Sequence, residues 1–99
     1  MTVQVRVLED GFAVGGELDL ASAPDFRMFI ASMADPRHEV VIDLADLEFM
    51  DSSGVKAIVR LTETACSHGI ILRHPRNNVL RALELIGVER IAGIRIERA

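Results

Sequence analysis

The sequence predicts a single α/β domain over residues 1–99, a mixed and mostly parallel sheet with an N-terminal hairpin and about three helices packed on it. Three observations predict it. Val3, Val5 and Val7 alternate with Gln4 and Arg6, the two-residue period of a half-buried strand. The turn signal Glu9-Asp10-Gly11 separates that run from a second one, Phe12-Ala13-Val14, which suggests a hairpin. Beyond it, stretches of helical period alternate with short apolar runs, the pattern of strands joined by crossover helices.

Each element has its own local reason. Gly15-Gly16 ends or bulges the second strand, and Glu17-Leu18-Asp19-Leu20 leaves it. Ser22, Pro24 and Asp25 read as a helix start, with serine as cap, proline in the first turn and an acid suited to the dipole. Phe26, Phe29, Ile30 and Met33 give that helix one apolar face to about Ala34, and Asp35-Pro36 stops it. Val40 to Leu44 is a continuous apolar run fit for a central strand covered on both faces. Leu47, Phe49 and Met50 extend the strand-like run. Val55, Ile58, Val59, Thr62, Ala65 and Cys66 form a second helical stripe, with Gly69 placed as its stop. Ile70-Ile71-Leu72 is a short buried strand. Pro75 and Asn77-Asn78 punctuate and cap a third helix carrying Val79, Leu80, Leu83 and Ile86, closed by Gly87. Ile91, Ile94 and Ile96 suggest a last strand, for a total of five.

Composition narrows the function classes. Apolar residues make up 49% of the chain, with no Trp, no Tyr and four Phe, so the core is aliphatic. The net charge of −4 sets the domain against nucleic-acid phosphates. Arg76, Arg81, Arg90, Arg95 and Arg98 enrich the C-terminal third in cations and read as solvated faces. The lone Cys66 forms no internal disulfide and reads as a small buried hydrophobe. No signal-peptide core and no membrane-length apolar stretch occur, so a soluble cytoplasmic protein without membrane insertion is expected.

Asp51-Ser52-Ser53-Gly54 is the motif that carries chemistry. It places two hydroxyls where a strand-like run gives way to a helix. Unpaired N–H groups and the positive dipole end favour phosphate there. Ordinary capping is the rival reading, yet one side chain suffices to cap while three polar residues stand in a row. Gly54 leaves backbone open to close approach. Other chemistries fit less well. Gly-x-Ser-x-Gly fails around either serine, and His38, His68 and His74 sit at separate element junctions. His38-Glu39 lacks a second histidine four residues on, so no metal site is expected. Glu17/Asp19 and Glu48/Asp51 read as solvated loop acids, and no Gly-Lys dipeptide serves a phosphate loop, so no cofactor is expected either.

Phe49-Met50-Asp51-Ser52-Ser53-Gly54, preceded by Val41-Ile42-Asp43-Leu44, resembles the signature of the STAS domain of bacterial anti-sigma factor antagonists. Gly16-Glu17-Leu18-Asp19 with Ala23-Pro24, and Pro75 to Ile91, resemble the family's other recurring segments. The resemblance implies a STAS-like fold and a non-enzymatic function. An antagonist binds an anti-sigma factor with serine kinase activity and so releases a sigma factor. That kinase phosphorylates the serine after the Asp, here Ser52, and a serine phosphatase restores it. By position, Asp19 and Asp51 would flank the acceptor. Val55 would sit at the docking surface, with Ser53, Gly54 and Lys56 beside it and Ser53 as the cap. The alternative is a STAS subunit of another complex, such as a lipid ABC transporter or a stress-signalling assembly, without a phospho-switch.

Two departures stand out. The family usually has Leu-Gly after this glycine, whereas Val55-Lys56 follows here. Lys56 is positioned to pair with a phosphate or to select a different kinase. The sequence also ends at Ala99, where many relatives carry a further helix. A partly uncovered sheet is then expected, with room for a homodimer to cover it.

Overall fold

The structure is a computed structural model and describes residues 3–98; Met1, Thr2 and Ala99 of the expected domain lie outside the described residues. β1 (Val3–Leu8) and β2 (Gly11–Leu18) form the expected antiparallel hairpin, with Val5 opposite Val14 and Val7 opposite Phe12. α1 (Ala23–Met33), β3 (Val40–Asp43), β4 (Leu47–Met50), α2 (Ser52–Thr62), β5 (Ile70–Arg73) and α3 (Asn77–Ile86) follow. A single 3-10 turn at Val88–Arg90 leads to β6 (Ile94–Glu97). The sheet order is β1-β2-β3-β5-β6, with β4 also paired to β2. Every pairing after the hairpin is parallel, as strands joined through helices require.

The five expected strands are six, because the run from Val40 to Met50 breaks at a turn. The Asp43 carboxylate accepts the Ala45 N–H at 2.9 Å, and the Leu44 carbonyl accepts the Leu47 N–H at 3.0 Å. β2 bridges the break. Its first half pairs with β3, its register shifts between Gly16 and Glu17, and its second half pairs with β4. The glycine pair therefore bulges the strand and does not end it.

One sheet face is the core. Phe12, Val14, Val40, Ile42, Ile70 and Leu72 bury against Phe26 and Ile30 of α1, Val55, Ile58 and Leu61 of α2, and Val79 and Leu83 of α3. Burying each such side chain contributes about 1.5–3 kcal/mol, so this layer, aliphatic apart from Phe12 and Phe26, dominates stability. The opposite face carries rows of charge. Register aligns Asp43, Arg73 and Glu97 across β3, β5 and β6. Arg73 lies 2.9 Å from Asp10 and 3.8 Å from Glu97, and Arg95 lies 3.9 Å from both Glu39 and Glu97. Val41 and Ile71 share this face and are nevertheless buried. Among the described residues this face is therefore largely polar, with Phe49 of β4 the exposed apolar residue on it. Arg98 likewise pairs with Glu84 and Glu89, and the Arg76 Nε donates to the Ala45 carbonyl.

Helix ends differ from expectation for local reasons. α2 stops at Thr62, well short of Gly69. The Thr62 and Thr64 hydroxyls donate to the carbonyls of Val59 and Arg60, and such back-bonding competes with the helix ladder. The Cys66 N–H then closes onto the Leu61 carbonyl at 2.8 Å, which still delivers Cys66 to the core. At α1, Ser22 makes no side-chain cap bond. At α3, neither asparagine caps; Arg76 holds that position, and the Asn78 amide donates to the Glu48 carbonyl at 2.7 Å. Gly87 closes α3 in the left-handed region, as expected.

Burial pushes the Cys66 thiol up to about 11. Alkylation of Cys66 by iodoacetamide at pH 8 is expected to occur only as fast as the protein opens, and to rise steeply through the urea unfolding transition. Rapid labelling of the native protein would contradict the packing at the end of α2.

Candidate functional site

The site forms where β2 and β4 end together. Asp51 leaves β4 in an extended conformation, and its N–H donates to the Leu18 carbonyl at 3.2 Å. Its Oδ1 accepts the Gly54 N–H at 3.1 Å, and its carbonyl accepts the Val55 N–H at 3.1 Å. Its Oδ2 accepts the Leu20 N–H at 3.2 Å. One carboxylate therefore caps α2 and ties down the loop that leaves β2. Its negative charge also complements the helix dipole.

This arrangement corrects the expectation that Ser53 caps. Ser52 and Ser53 are the first two residues of α2, and neither hydroxyl makes a hydrogen bond among the described residues. Ser52 is exposed and Ser53 half-buried. Capping by Asp51 means that neither serine hydroxyl is needed to close the first turn of α2.

Gly54 and Val55 are corrected as well. Gly54 is buried, and a Cβ there would lie 2.5 Å from the Leu18 carbonyl oxygen and 2.8 Å from the Met50 Cγ. Its missing side chain admits the Leu18 backbone of the same molecule, so the open approach expected for a partner is used internally. Val55 is 0% exposed and belongs to the core, so its side chain packs within the domain and is not on the surface where the resemblance put it. Lys56 is exposed, as a docking residue must be.

Asp19 is tied to the site through the same loop. Its Oδ1 accepts from the Ala21 N–H at 3.1 Å, the Ser22 N–H at 3.0 Å and the Ser22 hydroxyl at 3.1 Å. The Ser22 hydroxyl is also 2.9 Å from the Glu17 carbonyl oxygen. The Ser22 N–H is the main group holding the Asp19 carboxyl below its ordinary value, with the Ser22 hydroxyl and the Ala21 N–H adding to it. Asp19 thus folds the β2–α1 loop, while Asp51 holds that loop to α2. Ser22 serves the loop and not the helix cap expected of it.

The sequence reading missed Leu18, whose carbonyl both receives Asp51 and limits residue 54. It also missed Leu20, 75% exposed beside Asp51, and Arg27 and Arg60, which share a surface groove with Ser53 and Lys56. An apolar residue stranded in a polar loop was the available signal for Leu20. Among the described residues no group of three or more His, Cys, Asp or Glu side chains gathers around a metal-sized site, and no helix is long and apolar enough to cross a membrane.

A family model described as "Mlab, STAS domain" matches residues 2–95. No match is found among curated proteins. A candidate anti-sigma factor antagonist from Thermotoga maritima is similar in structure, with a TM-score of 0.76 and 22% identity over 97% of this chain and 86% of that one. The anti-sigma factor antagonist SpoIIAA in its unphosphorylated form gives a TM-score of 0.63 and 23% identity over 98% and 88%. An anti-sigma-factor antagonist (STAS) domain protein from Planctomyces limnophilus gives 0.67 and 17% over 100% and 92%.

The helix start yields an ordered set of stabilities in urea unfolding. Asp51→Ala is expected to cost about 1–2 kcal/mol, because it loses the cap and the Leu20 tie together. Gly54→Ala is expected to cost at least as much, because a backbone carbonyl blocks the new Cβ. Ser53→Ala should fall within about 0.5 kcal/mol of wild type. A large loss in Ser53→Ala with a neutral Asp51→Ala would contradict the assignment of the cap.

Proposed function

The chain belongs to the STAS-domain family, and from that premise we propose that it is an anti-sigma factor antagonist controlled by phosphorylation of Ser52. In this reading it is regulatory and not an enzyme. It binds an anti-sigma factor with serine kinase activity, which frees a sigma factor, and it is released once Ser52 is phosphorylated. A serine phosphatase resets it. The observation that carries the reading is the division of labour at the helix start. The Asp51 carboxylate supplies the capping bond of α2, which leaves the Ser52 hydroxyl exposed and, among the described residues, without a hydrogen-bond partner at the helix end.

The mechanism follows from charge. A phosphate on Ser52 adds about −1.5 to −2 charge next to Asp51, whose carboxylate is already committed to the helix start. At a partner interface that group resists desolvation and repels acidic neighbours. Weakening an interface 100-fold takes only about 2.7 kcal/mol. Because Ser52 holds nothing in place, the switch operates without refolding the domain. Around the helix start Ser52, Lys56 and Leu20 are exposed and Asp19, Asp51 and Ser53 are half-buried, so these can meet a partner, while Gly54 and Val55 are buried and shape the site from within.

A second reading is favoured by the description of the matching family model, which names Mlab and not an antagonist. In it the domain is a STAS subunit of another complex, such as a lipid ABC transporter, and Ser52 is a contact residue that is never phosphorylated.

Incubation with ATP and anti-sigma factor kinases active on a control substrate, followed by site mapping, separates the two. Modification at Ser52 is expected. Ser52→Asp should weaken kinase binding about 100-fold while Ser52→Ala still binds. No phosphate on Ser52, together with equal binding of both variants, would favour the second reading.

A further inference from the structure

α1 and α2 lie side by side, and an open groove of about 270 Å³ runs between them. Its lining includes Leu20, Pro24, Arg27, Ser53, Lys56 and Arg60, and contains no carboxylate. Arg27, Lys56 and Arg60 are exposed, and none makes an ion pair among the described residues. In a chain of net charge −4 this is a local concentration of free cations.

Helix stability explains only one of the three. Arg60 lies in the last turn of α2, where a cation complements the dipole. Lys56 lies near the opposite end, which a cation disfavours, in a helix with no acid in its first turn. Lys56 and Arg60 are four residues apart, a repulsive spacing on a helix. Arg27 has only Ala23, Pro24, Ile30 and Ala31 at helical contact spacing, so no intrahelical partner offsets it. Beside the cations, Leu20 presents an apolar side chain that the fold leaves 75% exposed.

We propose that this groove docks an acidic amphipathic segment of a partner protein, with its carboxylates on Arg27, Lys56 and Arg60 and an apolar side chain on Leu20 and Pro24. The inference rests on reading the start of α2 as a partner-binding end, and adds the chemistry of what binds there. Charge complementarity selects this occupant. The groove can neutralise two or three carboxylates, and an apolar anchor next to a charged rim is the usual composition of a specific interface. Duplex nucleic acid and anionic membrane require a broad basic face, which a domain of this overall charge does not provide. Because Ser53 lines the groove and Ser52 does not, the docked segment passes beside the acceptor hydroxyl and does not cover it.

The test is a selection of random twelve-residue peptides on the immobilised full chain. Selected peptides are expected to be enriched in Asp and Glu interspersed with Leu or Phe, and to bind more weakly as salt rises. They should lose at least tenfold in affinity to Arg27→Glu/Lys56→Glu/Arg60→Glu and less to Lys56→Gln/Arg60→Gln. Circular dichroism checks that both variants are folded, and amide shifts on the wild-type chain locate the peptide. Failure to select any peptide, selection of peptides without acid enrichment, shifts away from the groove, or affinity unchanged by neutralisation and reversal would each overturn the proposal. So would binding to phosphatidylglycerol vesicles in place of peptides. Ser52 phosphorylation is scored separately by mass: modification without acidic-peptide binding overturns the groove alone, and the reverse overturns the switch alone.

Discussion

The two oxygens of the Asp51 carboxylate go to different parts of the chain, and the site depends on that division. Oδ1 completes the first turn of α2, and Oδ2 holds Leu20 in the loop after β2. The backbone of the same residue bonds Leu18, so strand end, loop and helix start meet at one point. They meet closely enough that residue 54 has no room for a Cβ. The constraint is mutual. Without glycine at 54 the helix could not approach Leu18, and without that approach the carboxylate could not span helix and loop.

The proposed function builds on what this junction leaves over. A helix start needs one good acceptor, and Asp51 supplies it. Two serines then stand in the first turn of α2 with no side-chain hydrogen bond among the described residues. That is a useful position for a group that must be modified repeatedly, since adding a phosphate disturbs no hydrogen bond that the fold requires. In the proposed switch the charge of the modification would act on whatever docks, and only weakly on the domain that carries it. The groove beyond Ser53 fits the same division, with packed alanines beneath and long cationic side chains above.

Much of the architecture was legible because its signals are local. Alternating valines announced β1, and the three- and four-residue spacing of Phe26, Ile30, Val55, Ile58, Val79 and Leu83 marked the core faces of three helices. What was not legible depends on distant backbone. The split between β3 and β4 comes from a turn that Asp43 alone signals locally, and the way the eight-residue β2 bridges it through a register shift shows in no local pattern. The role of Gly54 depends on the Leu18 carbonyl, thirty-odd residues earlier. Three adjacent polar residues all satisfy the rule for a helix cap, so spacing alone did not separate Asp51 from Ser53. Val55 illustrates a different limit: the family resemblance placed it at a docking surface, whereas the helical rotation turns its side chain into the core. The cationic groove was hidden because Arg27 lies on a different helix from Lys56 and Arg60.

The central claim is that Ser52 is a reactive position on a scaffold that does not use it. Its most direct test is a protein carrying phosphoserine at position 52, introduced during translation and compared with the unmodified chain by amide spectra and urea unfolding. The account predicts shifts confined to the β2–α1 loop and the first turns of α2, with unfolding free energies within about 0.5 kcal/mol, the range of surface changes. Spectral changes throughout the sheet, or a loss of several kcal/mol, would make Ser52 part of the scaffold and contradict the account.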